Sequence, residues 1–406
     1  MIKVGYVYTT PHFSGAAVSM AEVLSILSNI VEPEIFSPKG SAADYFLRKL
    51  GCRIFTVGPL TQFDHTRFGR YRGIRWLVAM REVLLLPTTW WAAKRFAAAS
   101  NEVDILHLNE VTGIVVAVAL KRRMKVPLIV HIRAHMGNQT TGLRSQMLWW
   151  LFDSYVDAVI CIDETVRTTL PRHVARRAIV IHNGLDIATS AEFPYSETSH
   201  KRHGLTVVGI VGSLLRVKGV YEFVEAAKAL AKQRSDVVFI LYGAGVRELR
   251  GIRKLLFSSL RLADDVEGDL RRAIGSSGLQ DRIILAGHRS DLSEVYREID
   301  ILCFPSHYNA PGRPIFEAAY FGKPSIVAIE NPLADTLIDG STGIAIPAKN
   351  ANALADAIAY LLDNQTARLD MGTAARQLAT RNFDVKANAS LLLQLYSKTL
   401  EKCRPA

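Results

Sequence analysis

The segment that most constrains this chain runs from Ile301 to Ile326, ILCFPSHYNAPGRPIFEAAYFGKPSI. The apolar run Ile301–Phe304 is too short for a helix and lacks polar alternation, the pattern of a strand covered on both faces in a parallel sheet. Pro305 and Ser306 stop it, and a polar loop with Pro311, Gly312 and Pro314 follows. From about Ile315 the spacing turns helical, with Ile315, Phe316, Ala319 and Tyr320 on one side, until Gly322–Pro324 ends the element. A strand, a glycine loop and a helix start aim backbone N–H groups and the positive end of a helix dipole at an anion. Glu317 falls in the first turn of the expected helix, where a carboxylate suits a ribose hydroxyl better than a phosphate. A nucleotide diphosphate is the expected ligand. An ordinary strand-loop-helix corner with a capping Glu is the alternative.

The same grammar recurs along the chain. Ile2–Tyr8 reads as a first strand, Thr9–Gly15 as its loop, and Ala16 to about Ser28 as a helix. Further strands are predicted at Glu34–Ser37, Arg53–Val57, Asp104–Leu108, Leu128–Ile132, Ala158–Ile162 and Ala178–His182, mostly separated by helical patterns. A polar, aperiodic linker spans 191–204, and a second series begins at Leu205–Val211, followed by Val237–Tyr242 and Arg282–Ala286. At 406 residues and 49% hydrophobic content the chain can fill two cores. The expectation is two Rossmann-like α/β domains of doubly wound parallel sheet, residues 1–190 and 205–383, with a closing helix in 384–406.

The net charge of +11 calls for an anionic partner, but no recognition motif for nucleic acid accompanies it. Cys52, Cys161, Cys303 and Cys403 are scattered without C-x-x-C spacing, which supports neither a zinc site nor a disulfide framework and fits a reducing cytoplasm. The first residues read as a strand rather than a signal peptide, and no run of about 18 apolar residues suggests a membrane span. Two stretches combine basic and apolar character. Residues 62–100 hold Arg67, Arg70, Arg72, Arg75 and Arg81 before a Leu-rich helix, then Trp90-Trp91 and Lys94-Arg95. Residues 247–265 place Leu249, Ile252, Leu256 and Leu260 on one helical face, surrounded by Arg250, Arg253, Lys254 and Arg261. Both fit an interfacial element on anionic lipid, and both fit a packed helix with a solvated face.

The series resembles the GT-B retaining glycosyltransferases of family 4. Pro305, Ser306, Gly312, Glu317, Ala318, Gly322 and Pro324 stand in the register of that family's P-S-x-x-E-G-F-G-x-x-x-x-E-A-x-x-x-G-x-P, with Asn309 in place of the first glutamate. VDILHLNE, VPLIVHIRAH, VDAVICIDE and IVIHNGLD follow the family's first-domain order, and Asp339-Gly340 with Thr342-Gly343 match its D-G-x-T-G. GSLLRVKG, residues 212–219, matches G-R-L-x-x-x-K-G, with Lys218 in place and Ser213 at the Arg position; Arg216 is the expected substitute.

The resemblance implies two domains facing across a cleft, with the final helix packing back toward the first. It also implies transfer, with retention, of a sugar from a UDP- or GDP-linked donor to a glycan or lipid-linked acceptor, as in cell-surface polysaccharide synthesis. Arg133 takes the position of the family's histidine near the reacting centre, so Arg133, His131, His135 and Asn309 are the catalytic candidates. Gly15, Gly212, Ser213, Arg216, Lys218, Gly243, Gly287, His288, Gly312, Arg313 and Glu317 are the donor-binding candidates. No cofactor is expected. No Asp-x-Asp occurs, so cationic side chains would replace a carboxylate-held metal at the diphosphate. An anionic membrane surface on the cytoplasmic side is a further expected partner. A catalytically silent scaffold in a glycan assembly complex, favoured by Asn309 and Ser213, and a sugar-nucleotide epimerase are the alternatives.

Overall fold

The computed structural model describes residues 1–10, 15–41, 44, 47–48, 50–66, 76–100, 102–137, 142–186, 204–244, 265–289 and 291–403. The chain divides into two compact units, Met1–Asp186 with Phe383–Ala406, and Ile187–Asn382. The first contains β1 (Ile2–Val7), α1 (Gly15–Leu27), β2 (Val31–Pro38), β3 (Arg53–Val57), α2 (Trp76–Leu84), α3 (Leu86–Ala99), β4 (Ile105–Leu108), α4 (Ile114–Met124), β5 (Leu128–Ile132), α5 (Leu143–Tyr155), β6 (Ala158–Cys161), α6 (Glu164–Thr168), α7 (Arg172–Ala175) and β7 (Ala178–Val180). The second contains β8 (Thr206–Val211), α8 (Val220–Ala231), β9 (Val237–Tyr242), α9 (Val266–Gly275), β10 (Ile283–Gly287), α10 (Leu292–Glu298), β11 (Ile301–Phe304), α11 (Arg313–Tyr320), β12 (Ser325–Ala328), β13 (Gly343–Ile346), α12 (Ala351–Asp363) and α13 (Gln365–Asn382). The chain then returns to the first unit with α14 (Val385–Cys403).

Both sheets are wholly parallel. The first has the order β3-β2-β1-β4-β5-β6-β7, with Val4 opposite Ile105 and Leu106 opposite Leu128. The second has the order β10-β9-β8-β11-β12-β13. Apolar runs without alternation form these strands because helices cover both faces. In the first unit α3, α4 and α5 supply Phe96, Leu120 and Phe152 to one side, while α1 and α14 supply Leu24, Leu392 and Leu395 to the other. In the second, Phe223, Leu270 and Leu354 fill one side, and Tyr296 and Ala318 the other. Strand order reverses beside β1 and β4 in the first unit and beside β8 and β11 in the second. Open α/β sheets bind ligands at the carboxyl ends of such strand pairs, because the connections leave in opposite directions and part there.

Sequence expectation and structure differ in places. β12 and β13 were not singled out as strands, and the Leu-rich helix before Trp90 is two helices, because Pro87 can only sit at the start of α3. The expected basic stretches at 67–75 and 247–264, and the linker at 191–203, lie outside the described residues. No helix among the described residues is long and apolar enough to cross a membrane.

Candidate functional site

In the second unit, three glycines end β8, β9 and β10 in a row. The Gly212 N–H donates to the Tyr242 carbonyl (2.9 Å) and the Gly243 N–H to that of Gly287 (2.8 Å). A Cβ on Gly243 would lie 1.8 Å from the Gly212 carbonyl oxygen, so only glycine permits this approach. The loop after β8 then makes a short 3-10 turn, Arg216–Lys218, closed by Gly219 at φ +73°. A Cβ there would meet the Pro305 carbonyl oxygen at 2.0 Å. The same two loops are joined by the His307 N–H donating to the Val217 carbonyl (2.9 Å) and by a His307–Glu222 contact (2.8 Å). Thus the loops at the ends of β8 and β11, the switch-point pair, form one continuous wall.

Lys218 stands in that wall. Its ammonium lies 5.4 Å from the ring centre of Phe304 and 5.3 Å from that of Tyr308. Among the described residues it makes no hydrogen bond or ion pair, and burial holds its amine below the ordinary lysine range. Arg216, the expected stand-in for the family's arginine, stacks over Tyr221 at 4.3 Å, and Ser213 is exposed. Phe304 also seats Gly312, whose missing Cβ would lie 2.3 Å from the ring. Gly312 caps α11, but Pro314 carries no N–H and that of Ile315 is bonded to the Gly312 carbonyl (3.0 Å), so the helix start offers fewer donors than a full anion cradle.

Two expectations need correction. Glu317 lies in the second turn of α11 rather than the first, because the helix begins at Arg313 instead of Ile315. Its carboxylate is also engaged: Oε1 accepts from Arg313 Nε (2.5 Å) and Oε2 from the Tyr296 hydroxyl (2.6 Å). Carboxylate oxygens keep further lone pairs, so the pairing orients Glu317 without exhausting it. Asn309 adopts φ +50°, which Asn tolerates better than most residues, and its Oδ1 accepts the Glu330 N–H (2.7 Å). Its side chain therefore fastens the loop to the end of β12. His288 is exposed, and Gly15 has open space around its missing Cβ.

The first unit has its own crevice, at the ends of β1, β4 and β5. Arg133 leaves β5 and donates from Nε and Nη2 to Asn109 Oδ1 (3.2 and 2.9 Å), from Nη1 to Asn183 Oδ1, and from Nη2 to His131 Nδ1 (3.2 Å). Burial lowers its guanidinium to about 10, so it stays cationic at neutral pH. Because His131 Nδ1 accepts from Arg133, its proton sits on Nε2. His107 Nδ1 lies 2.6 Å from the Tyr396 hydroxyl, which lies 2.7 Å from that of Tyr6. The hydroxyls of Tyr6 and Tyr396 thus hold His107 through Nδ1, and the tautomer of its ring follows from which of these groups donates. Burial and the nearby Arg133 push both imidazoles down, His107 to about 3, so both are neutral. Neither Nε2 has a partner within the described structure. Glu110, which accepts from the Thr10 hydroxyl, is pushed up by burial.

Tyr6, His107, Asn109, His131, Arg133 and Asn183 line an empty space of about 390 Å³, counted to its open mouth, with Met20, Val23, Ile181 and Leu392 on its apolar side. The Arg133 guanidinium and the side chains of Asn109 and Asn183 beside it suit an oxygen-rich ligand. His135 is buried but does not line the space. Sequence reasoning missed His107, Glu110 and Tyr396. His107 lies in β4 and Glu110 just after it, and their position at the switch point is visible only once strand order is known.

Two family models match in succession: Glycosyltransferase Family 4 over residues 15–189 and Glycosyl transferases group 1 over residues 194–378. An alpha-D-kanosaminyltransferase of Streptomyces kanamyceticus is 26% identical over 303 residues, covering 68% of this chain and 72% of that protein. A D-inositol 3-phosphate glycosyltransferase of Corynebacterium glutamicum (strain R) is 30% identical over 196 residues, 48% of this chain and 44% of that protein. Among solved structures, Anabaena HepE in complex with UDP shares the fold with a TM-score of 0.75 at 17% identity, covering 98% of this chain and 100% of that one. The same protein has also been solved with UDP-glucose.

Proposed function

From a chain that carries a family 4 and a group 1 glycosyltransferase domain on a GT-B fold, we propose a retaining transferase. It moves a hexosyl unit from a nucleotide diphosphate sugar to a glycan or lipid-linked acceptor in cell-surface polysaccharide synthesis. The observation that carries the donor assignment is Lys218, a half-buried ammonium without an anionic partner among the described residues, at the switch point of the second sheet. Burying an unpaired charge is costly, and a diphosphate arriving there offsets that cost. The complexes of Anabaena HepE with UDP and with UDP-glucose support a uridine donor over a guanosine one.

In the reaction the bond from the anomeric carbon to the β-phosphate oxygen breaks, and the electron pair leaves with the diphosphate. The acceptor hydroxyl oxygen forms the new bond on the same face and loses its proton. Products are the glycoside, the nucleoside diphosphate and one proton. Lys218 stabilises the charge that grows on the leaving oxygen, a contribution made mainly in the transition state. Glu317, oriented by Arg313 and Tyr296, receives the ribose hydroxyls. The donor-lined space of the first unit receives the acceptor's oxygens.

Calorimetry with UDP, GDP and uridine tests the donor assignment, and NMR of the anomeric coupling in the isolated product tests retention. Absence of binding by any nucleoside diphosphate would overturn the donor assignment. An inverted product would overturn retention.

A further inference from the structure

Helix α2 is built inside out. Its one buried residue is Glu82, whose Oε2 accepts the Gln62 N–H (2.6 Å) while the Glu82 carbonyl accepts the Thr61 hydroxyl (3.0 Å). Its apolar residues are in solvent: Trp76 is 61% exposed, Met80 59% and Leu84 75%, at a spacing that puts them on one helical face. Trp91 on α3 and Met147 and Trp150 on α5 are also more than half exposed. Helices α3, α4 and α5 cover the same side of the first sheet, and α2 is tied to α3 through Thr61, whose N–H donates to Thr89. A soluble surface seldom leaves this many large apolar side chains on neighbouring elements.

The charge on these elements says what covers them. Helices α2 to α5 hold seven cations, Arg81, Lys94, Arg95, Lys121, Arg122, Arg123 and Arg144, against two carboxylates, Asp153 and the buried Glu82. Arg95 lies over the Trp91 ring at 4.8 Å and Arg123 over that of Trp90 at 4.4 Å, so cation and aromatic share one surface. Arg81 is paired with Glu82 and Lys121 with Asp157; exposed indoles and aliphatics beside the remaining Lys and Arg match the chemistry of an anionic lipid headgroup layer, apolar below and negative above.

We propose that the outer faces of α2, α3 and α5 dock on an anionic bilayer surface, with Trp76, Met80, Leu84, Trp91, Met147 and Trp150 entering the headgroup region. This surface is separate from the crevice residues of the first unit, and the proposal does not depend on the donor or acceptor assigned above.

The test is flotation of the full chain with vesicles of phosphatidylglycerol and phosphatidylcholine, against phosphatidylcholine alone. Binding is expected with the anionic vesicles at low salt, with a steep loss as salt rises and a blue shift of tryptophan emission. The triple variant Met80→Ser, Leu84→Ser, Trp91→Ser should lower the partition coefficient by roughly tenfold or more, since each side chain withdraws substantial apolar area from the layer. Its unfolding midpoint should not move, because all three side chains are exposed. Lys94→Glu with Arg95→Glu should abolish binding at low salt. Absence of flotation with anionic vesicles overturns the proposal. So does flotation that the triple variant leaves unchanged, and so does a concentration-dependent dimer that the triple variant abolishes, which would make this face a contact between copies of the chain.

Discussion

Replacing Lys218 with Met separates the two halves of the argument about the donor. The Met side chain keeps the aliphatic stem between Phe304 and Tyr308 and removes the charge. In the complex, one charge-assisted contact to phosphate is lost, about 1.5–3 kcal/mol, or roughly ten- to a hundredfold in Kd. In the free protein the sign is opposite, because the lysine ammonium is half-buried without a carboxylate and its removal relieves a partial desolvation cost. Calorimetry should therefore show UDP affinity falling ten- to a hundredfold while uridine affinity barely changes. Thermal unfolding without ligand should show a midpoint equal to or above that of the parent. An equal loss for UDP and uridine would refute the phosphate assignment. A lowered midpoint would show that Lys218 stabilises the loop rather than waiting for an anion.

Three further outcomes are expected. Since burial depresses the free Lys218 amine and a bound diphosphate favours its charged form, UDP binding takes up protons at alkaline pH; affinity should fall as pH rises through the free value, read by calorimetry in buffers of different ionisation heat. Gly219→Ala, at φ +73° and against the Pro305 carbonyl, should cost about 2 kcal/mol or more by denaturant unfolding, while Gly278→Ala, at φ +70° in open space, should cost about 1. Glu317→Ala strands the Tyr296 hydroxyl and the Arg313 Nε it now accepts from; it should lose about 1–3 kcal/mol of stability and weaken UDP and GDP alike, and unchanged affinity would leave Glu317 a purely structural brace.

The sheets were legible because strands covered on both faces carry uninterrupted apolar runs. Leu128–Ile132, Val237–Tyr242 and Ile301–Phe304 form strands with the bounds the sequence suggests, and so does the more polar edge strand Arg53–Val57. The missed strand β13, GIAI, is a weaker apolar run beside polar turn residues, which hides its pairing with β12. Lys218 and the glycines were readable from local spacing, because their geometry is set within one strand and its loop. The contacts of Glu317 were not. Tyr296 reaches it from α10, and no local pattern encodes that approach. The same holds for Tyr396, which arrives at His107 from 289 positions away. Asn309 is a candidate by register, and its bond to the Glu330 N–H, which local spacing does not encode, engages its Oδ1.

The return of α14 to the first unit has a consequence for how the chain is made. Leu392, Leu395 and Tyr396 complete a core whose other walls, Val4, Ile105 and Ile129, leave the ribosome early. The whole second unit, roughly 200 residues, is synthesised in between. At about 5–20 residues per second this interval lasts on the order of 10 to 40 seconds. During it the nascent first unit lacks its last helix, and the part of the sheet face that α1 does not cover stays open to chaperones and proteases. Ribosome-bound chains stalled before Val385 should therefore be cut within β1 to β6 by a protease that spares the released protein. For this molecule, the N-terminal half is the first to be translated and the last to be finished.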